Sequence, residues 1–126
     1  MLTKTITIAG KDVTLAYCYA TEVAYKDKTG VDISTYIDEA VSRIRETPSR
    51  MPDIKTSIDA IMAASTAYYE SQDEESPITD RDLMNAATPQ EMGAAIGTFV
   101  GLYMGFYAAP DDDKQKVKKK ERKAKN

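Results

Sequence analysis

The sequence predicts an α+β fold in which an N-terminal two-stranded β-hairpin precedes a bundle of four to five α-helices and a disordered C-terminal tail. Three observations indicate this fold class. Apolar and polar residues alternate in two short segments near the N-terminus, apolar residues then recur at helical spacing, and residues 111–126 contain one aliphatic side chain larger than alanine, Val117. We therefore expect a single folded domain over residues 1–110 and a disordered basic tail over 111–126.

Two segments with a period of two form the predicted hairpin. In Thr3 to Ile8 the isoleucines alternate with threonines, and Val13 to Tyr17 follows the same pattern. The segment 9–12 between them contains a glycine and two polar residues, which suits a tight connection. The two strands should therefore pair antiparallel.

Two helices are predicted next. The first follows Ala20, with Thr21 as its N-cap and Gly30 as its end. The second begins after Asp32, another N-cap residue, and is amphipathic. Its inward residues are predicted to be Ile33, Ile37, Ala40, Val41 and Ile44.

Cap residues also mark the starts of the remaining helices. Asp53 precedes a third helix that should run to about Glu70, with an inward row of Ile54, Ile58, Ile61, Met62, Ser65 and Tyr69. An acidic exposed loop over residues 71–76 follows, and Thr79 with Asp82 indicates a short fourth helix. Thr88 and Pro89 then begin the last helix.

The last helix contains a row of glycines. Residues 92–110 include no charged side chain, and Gly93, Gly97, Gly101 and Gly105 recur every four residues. At about 100° per residue these glycines share one side of the helix, while the large apolar side chains lie on the other. Each interior glycine costs about 1 kcal/mol relative to alanine, so we expect another element to pack closely against this side.

Three interpretations of this helix are compatible with its sequence. It can be a core helix covered on both sides by its own chain, a helix whose glycine side binds a second copy or a client protein, or a membrane span. Under the second interpretation the predicted partner-binding residues are Gly93, Gly97, Thr98, Gly101, Met104 and Gly105.

Composition excludes several kinds of chemistry. The chain has no histidine and one cysteine, Cys18, which rules out an internal disulfide and a zinc site built from Cys and His. Cys18 is predicted to be a small buried side chain at the end of the second strand. Neither a phosphate-binding loop nor a calcium loop is present, so we predict a non-enzymatic protein with no cofactor and no metal. The N-terminus lacks an apolar signal segment, which predicts a cytoplasmic location.

The order strand, Ala-Gly-Lys turn, strand, Tyr17-Cys18-Tyr19 junction, helix and Thr29-Gly30-Val31-Asp32 resembles the tail assembly chaperones of long-tailed bacteriophages. The resemblance extends from Thr3 to about Ile44 and, more loosely, to Tyr107. It implies a protein that binds tape measure protein or tail tube protein in the host cytoplasm, forms homo-oligomers and is absent from the mature virion. The row of glycines is not a feature that this resemblance requires.

Charge is divided unevenly between the predicted domain and the tail. Residues 1–110 contain 9 Lys and Arg against 16 Asp and Glu, whereas residues 111–126 contain 8 against 4. A small regulatory or structural module whose basic tail contacts nucleic acid is therefore an alternative function, although the tail has no aromatic residue for base stacking. Lys118-Lys119-Lys120 either simply keeps a disordered tail soluble, the interpretation that composition favours, or marks a programmed frameshift site, which the resemblance implies because related chaperones often occur in two lengths.

Overall fold

The structure is a computed structural model and describes residues 1–46 and 53–108. Its elements follow the order β1 (Leu2–Ile8), β2 (Lys11–Tyr17), α1 (Tyr19–Thr29), α2 (Ile33–Glu46), α3 (Ile54–Ser71), α4 (Asp80–Ala86) and α5 (Pro89–Ala108). The predicted fold class, a hairpin followed by helices, is confirmed. The predicted tail over 111–126 and the three consecutive lysines lie outside the described residues.

The hairpin has a two-residue loop. Strands β1 and β2 pair antiparallel, and Ile8 lies opposite Lys11 at the closed end. Ala9 and Gly10 form the loop with φ values of 54° and 77°, the left-handed conformations that a type I′ turn requires at both central positions. Lys11, which was predicted to belong to the connection, is the first residue of β2.

The core lies between the sheet and the long helices. Strand β2 packs on α3, β1 packs on α5, and α1 packs on α3. The largest fully buried side chains come from both strands, from α1, α3 and α5, and from the segment before α4. They are Tyr17, Tyr25, Phe99, Ile8, Leu15, Ile61, Ile78 and Val13. The hairpin therefore packs across two helices, with β2 against α3 and β1 against α5.

Helix α1 begins earlier than the sequence predicts. Its N-cap is Cys18, and Thr21, the predicted cap, lies three residues further on at the N3 position. The Thr21 hydroxyl accepts a hydrogen bond from the Cys18 N–H at 3.3 Å and donates one to the Ala16 carbonyl at 2.8 Å. Cys18 is half-buried and so is not the buried side chain that was predicted. Gly30 ends the helix in the left-handed conformation, as predicted.

Two details of α2 and α3 also differ from prediction. Asp32 precedes α2 at the predicted N-cap position, and its carbonyl accepts from the Thr35 N–H at 3.1 Å. Its carboxylate, however, accepts from Lys26 Nζ of α1 at 2.9 Å and makes no bond to α2 within the described residues. Ile54 is 51% exposed, because it occupies the first turn of α3 and lies beyond the elements that cover Ile58 and Ile61. Asp53 caps α3 as predicted by accepting from the Thr56 N–H at 3.1 Å.

Candidate functional site

Helix α5 begins at a reciprocal cap that also attaches it to the hairpin. The Thr88 hydroxyl accepts from the Glu91 N–H at 3.1 Å, and the Glu91 carboxylate accepts from the Thr88 N–H at 3.0 Å. The same carboxylate oxygen accepts a hydrogen bond from the Ala9 N–H at 3.2 Å. The start of α5 is therefore anchored at the closed end of the hairpin.

The bulky side of α5 is part of the core. Met92, Ile96 and Phe99 are almost completely buried, and Phe99 has no exposed surface. The Phe99 ring lies 5.7 Å from that of Tyr17 and 6.1 Å from that of Tyr36, both at the steep angles that aromatic pairs prefer. This side of the helix is covered as predicted.

The opposite side of α5 is open. Gly93, Gly97 and Gly101 are exposed, and a Cβ atom added at any of them would meet no described atom within 4 Å apart from its chain neighbours and the adjacent backbone of its own helix. The interpretation in which the chain itself covers both sides of α5 is therefore wrong for these three glycines within the described residues. The physical reason is that the neighbours of α5, namely the two strands, α2 and α3, leave this stretch of the glycine side uncovered and reach the glycine row only at Gly105.

Gly105 differs from the other three glycines. It is half-buried, and a Cβ atom there would lie 3.1 Å from Leu2 Cδ1. Glu91 thus meets Ala9 at one end of α5 and Gly105 meets Leu2 at the other. The fourteen residue steps from Glu91 to Gly105 correspond to a helical rise of about 21 Å, and the seven steps from Leu2 to Ala9 correspond to an extended length of about 23 Å. Helix α5 therefore runs antiparallel alongside the whole of β1.

The remaining predicted partner-binding residues lie beside the open glycines. Thr98 is half-buried, and Met104 is 50% exposed. We call the set Gly93, Gly97, Thr98, Gly101, Met104 and Gly105 the open face of α5. The structure brings all six predicted residues to one side of one helix, with Gly105 at its covered end.

An apolar groove lies at the other end of α5. It has a volume of about 360 Å³ and includes Ile54, Met84, Pro89 and Met92 among its lining residues. Ile54 and Met84 are more than half exposed. Pro89 is one helical turn before Gly93 on the same row, so the groove continues the open face toward α4. Sequence reasoning missed this groove because it assigned Ile54 to the core.

The last turn of α5 is joined to α1 through a carboxylate. Glu22 accepts hydrogen bonds from the Tyr17 hydroxyl at 2.8 Å and from the Tyr107 hydroxyl. Burial, followed by the Glu22 hydrogen bond, raises the pKa of Tyr17 well above its usual value. The hydrogen bond to Glu22 raises the pKa of Tyr107 to about 12. Both phenols therefore stay protonated at neutral pH and act as hydrogen-bond donors.

Aromatic side chains extend this junction to the surface. The Tyr19 ring lies 5.4 Å from the Phe106 ring, and Tyr19 is 66% exposed. Tyr107, the next residue on α5, is 51% exposed. The open face therefore ends beside exposed aromatic rings, which supply large contact areas in protein interfaces.

The polar groups of a further cleft are explained by an internal ion pair and a hydroxyl pair. A cleft of about 450 Å³ between α1, α2 and α3 is lined by residues that include Tyr25, Tyr36 and Asp59. The Asp59 side chain is 3% exposed and pairs with Lys55 Nζ at 2.9 Å. Burial raises the pKa of Tyr36 to about 12 while its hydroxyl pairs with that of Ser57 at 2.7 Å. Each of these buried polar groups has a protein partner, and the pairing is sufficient to account for them.

The described residues offer neither a cluster of metal ligands nor a membrane-spanning helix. Over residues 1–46 and 53–108, no group of three or more His, Cys, Asp or Glu side chains is placed to hold a metal ion. In the same residues no helix, α5 included, has the length and apolar character needed to cross a membrane.

Comparisons with known proteins give no relative for this chain. No protein-family model matches it, and neither a curated protein nor a solved structure is significantly similar to it. The open face of α5 and the groove beside it are therefore the features from which a function can be argued.

Proposed function

We propose that this protein is a non-enzymatic tail assembly chaperone of a long-tailed bacteriophage or prophage. It binds tape measure protein or tail tube protein in the host cytoplasm during tail morphogenesis and is absent from the mature virion. The observation that carries the proposal is the open face of α5, on which Gly93, Gly97 and Gly101 have no covering element within the described chain although they belong to a core helix.

The cost of the glycines supports a binding role for this face. Gly93, Gly97 and Gly101 each lower helix stability by about 1 kcal/mol relative to alanine. Packing within the described chain offsets none of this, because no atom lies near the positions of their missing side chains. Stability that is given up on one surface is typical of sites whose sequence serves function.

The shape of the face indicates a helical client. Packed helices usually lie 8–10 Å apart, and small residues at the contact allow the shorter distances in this range. A client helix lying along the glycines would contact Met104 and Tyr107 at one end and the groove of Ile54 and Met84 at the other. Methionine and tyrosine adapt to apolar surfaces of different shape, which suits a chaperone.

Co-expression with the tape measure protein of the same phage tests this proposal. We expect a tagged chaperone to co-purify with the client, and Gly97→Leu to reduce recovery at least tenfold because a leucine fills the approach path of the client. Gly97→Ala should reduce it less. The control is Asp27→Leu, which adds the same apolar side chain at an exposed position of α1 and should leave recovery unchanged.

Two results would contradict the proposal. One is unchanged recovery with Gly97→Leu while circular dichroism shows a folded protein. The other is the absence of any complex between the wild-type chain and either tape measure or tail tube protein.

A further inference from the structure

The hairpin has two outer edges, and the pairing pattern shows which backbone groups each edge presents. Ile8 and Lys11 close a two-residue loop, which makes them a hydrogen-bonded pair. Hydrogen-bonded and non-hydrogen-bonded pairs alternate along antiparallel strands. The even-numbered residues of β1 therefore bond to β2, and Thr3, Thr5 and Thr7 direct their N–H and C=O groups away from it.

Side chains bond two backbone groups on the outer edge of β2, and these bonds confirm the alternation independently. The Thr14 N–H, opposite Thr5, donates to the Tyr69 hydroxyl at 3.1 Å. The Ala16 carbonyl, opposite Thr3, accepts from the Thr21 hydroxyl at 2.8 Å. Side chains of α3 and α1 thus occupy two positions along the edge of β2.

The outer edge of β1 is covered at one point. The Ala9 N–H donates to Glu91 at 3.2 Å. The outward backbone groups of Thr3, Thr5 and Thr7 have no protein partner within the described residues, and all three residues are exposed. An edge with free, regularly spaced donors and acceptors is a template for a further strand.

We propose that β1 pairs with β1 of a second copy of this chain, antiparallel about a two-fold axis at Thr5. The product is a four-stranded sheet in the order β2, β1, β1 of the second copy, β2 of the second copy. Thr5 then lies opposite its own counterpart and Thr3 lies opposite Thr7, so all three outward residues bond in both copies and form about six hydrogen bonds.

The charge of Lys4 and the hydrogen bond that holds the Ala9 N–H favour this register over the registers centred on Lys4 and on Ile6. Centring the axis on Lys4 places the two Lys4 side chains directly opposite each other, and like charges in that position are destabilising. Centring it on Ile6 pairs Thr3 with Ala9, whose N–H is held by Glu91. Centring it on Thr5 places Lys4 opposite Ile6, where the aliphatic stem covers the isoleucine while the amine stays in solvent.

A second copy fits this edge because the strand complements itself. An isolated two-stranded sheet is marginal, and the pairing doubles its size without a new sequence element. A two-fold axis perpendicular to the sheet also places both copies of α5 on the same side of the four-stranded sheet. The inference depends on the backbone of β1 and does not rest on the proposed client.

Sedimentation equilibrium of the full chain tests the pairing with a matched pair of variants. We expect wild type and Thr5→Val to have twice the chain mass of 13.9 kDa at micromolar concentration. Thr5→Pro should sediment at half that mass with an unchanged circular dichroism spectrum, because it removes an N–H that β2 does not use. A monomeric wild type, or a dimeric Thr5→Pro, would overturn the proposal.

Disulfide trapping tests the register and does not depend on the proline variant. In a Cys18→Ser background, Thr5→Cys should cross-link under mild oxidation, since the two Cα atoms lie about 5.5 Å apart across the axis. Thr3→Cys should not, because its two copies are offset by four residues, about 13 Å. Cross-linking at position 3, or at neither position, would show that this pairing is wrong.

Discussion

The two sides of helix α5 differ in what covers them. On one side Phe99 and its neighbours are buried against Tyr17 and Tyr36. On the other side Gly93, Gly97 and Gly101 face open space in the described chain. The helix is therefore held in place by one side alone, which leaves the other free to be shaped for binding.

The hairpin shows the same contrast between its two edges. Tyr69 and Thr21 bond two backbone groups within the edge strand β2. Thr3, Thr5 and Thr7 of β1 have no such bond in the described residues, and the nearest one is at Ala9 in the turn. Both uncovered features lie together, because α5 runs alongside β1 from Glu91 to Gly105. The contrast indicates that one region of the molecule is built for stability and the adjoining region for association.

The largest effect is expected on the buried side of α5. Phe99→Ala should lower the free energy of unfolding by about 3–5 kcal/mol, because it removes a fully buried ring and leaves a cavity. Urea denaturation measures this loss. Met104→Ala, a truncation at a half-exposed position of the same helix, should change stability by no more than about 0.5 kcal/mol. Equal losses of stability for Phe99→Ala and Met104→Ala would contradict the claim that one side of α5 is buried and the other is open.

A smaller effect of opposite sign is expected on the open side. Gly97→Ala should raise the free energy of unfolding by about 1 kcal/mol, since the added methyl group meets nothing and the helix gains intrinsic stability. Gly105→Ala should gain less, because its methyl group would lie 3.1 Å from the end of the Leu2 side chain and that side chain must move. A loss of stability with Gly97→Ala would mean that this face is covered after all.

Titration of the buried tyrosines is expected to have the smallest effect on stability near neutral pH. Burial raises the pKa of Tyr36 to about 12 in the folded protein, above the ordinary value of about 10 for an unfolded tyrosine. The unfolded state therefore loses this proton first, and stability present below pH 10 should fall as the pH rises toward 12. Unfolding experiments at pH 8, 10 and 11 would show the decline, and Tyr36→Phe should make it shallower. A stability that rises over this range would contradict the sign.

Much of the fold could be predicted from local sequence signals. The alternation in β1 and β2, the caps at Asp53, Thr79 and Thr88, and the stop at Gly30 each depend on residues close in sequence. The predicted cap of α1 was wrong because Cys18, the actual cap, is an uncommon cap residue. Thr21 is of a common cap type, but its hydroxyl bonds to Ala16 on the preceding strand.

The residues of the candidate site were predicted from the sequence, but whether another element covers them was not. The spacing of Gly93, Gly97 and Gly101 placed them on one side of a helix, as the structure shows. Whether another element covers that side depends on the packing of distant elements, which helical periodicity does not encode. The free edge of β1 had a signal in the sequence, because a fold with two predicted strands necessarily has two edges.

The most direct test of the account uses the glycines themselves as probes. The chain has six glycines, four in α5 and two at the turn and cap positions Gly10 and Gly30. A glycine-labelled ¹⁵N spectrum of the protein should be recorded during titration with the tape measure protein. We predict that the Gly93, Gly97 and Gly101 signals shift or broaden while Gly30 stays in place. A complex that forms while all three α5 signals remain unchanged would contradict the claim that the open face of α5 binds the client.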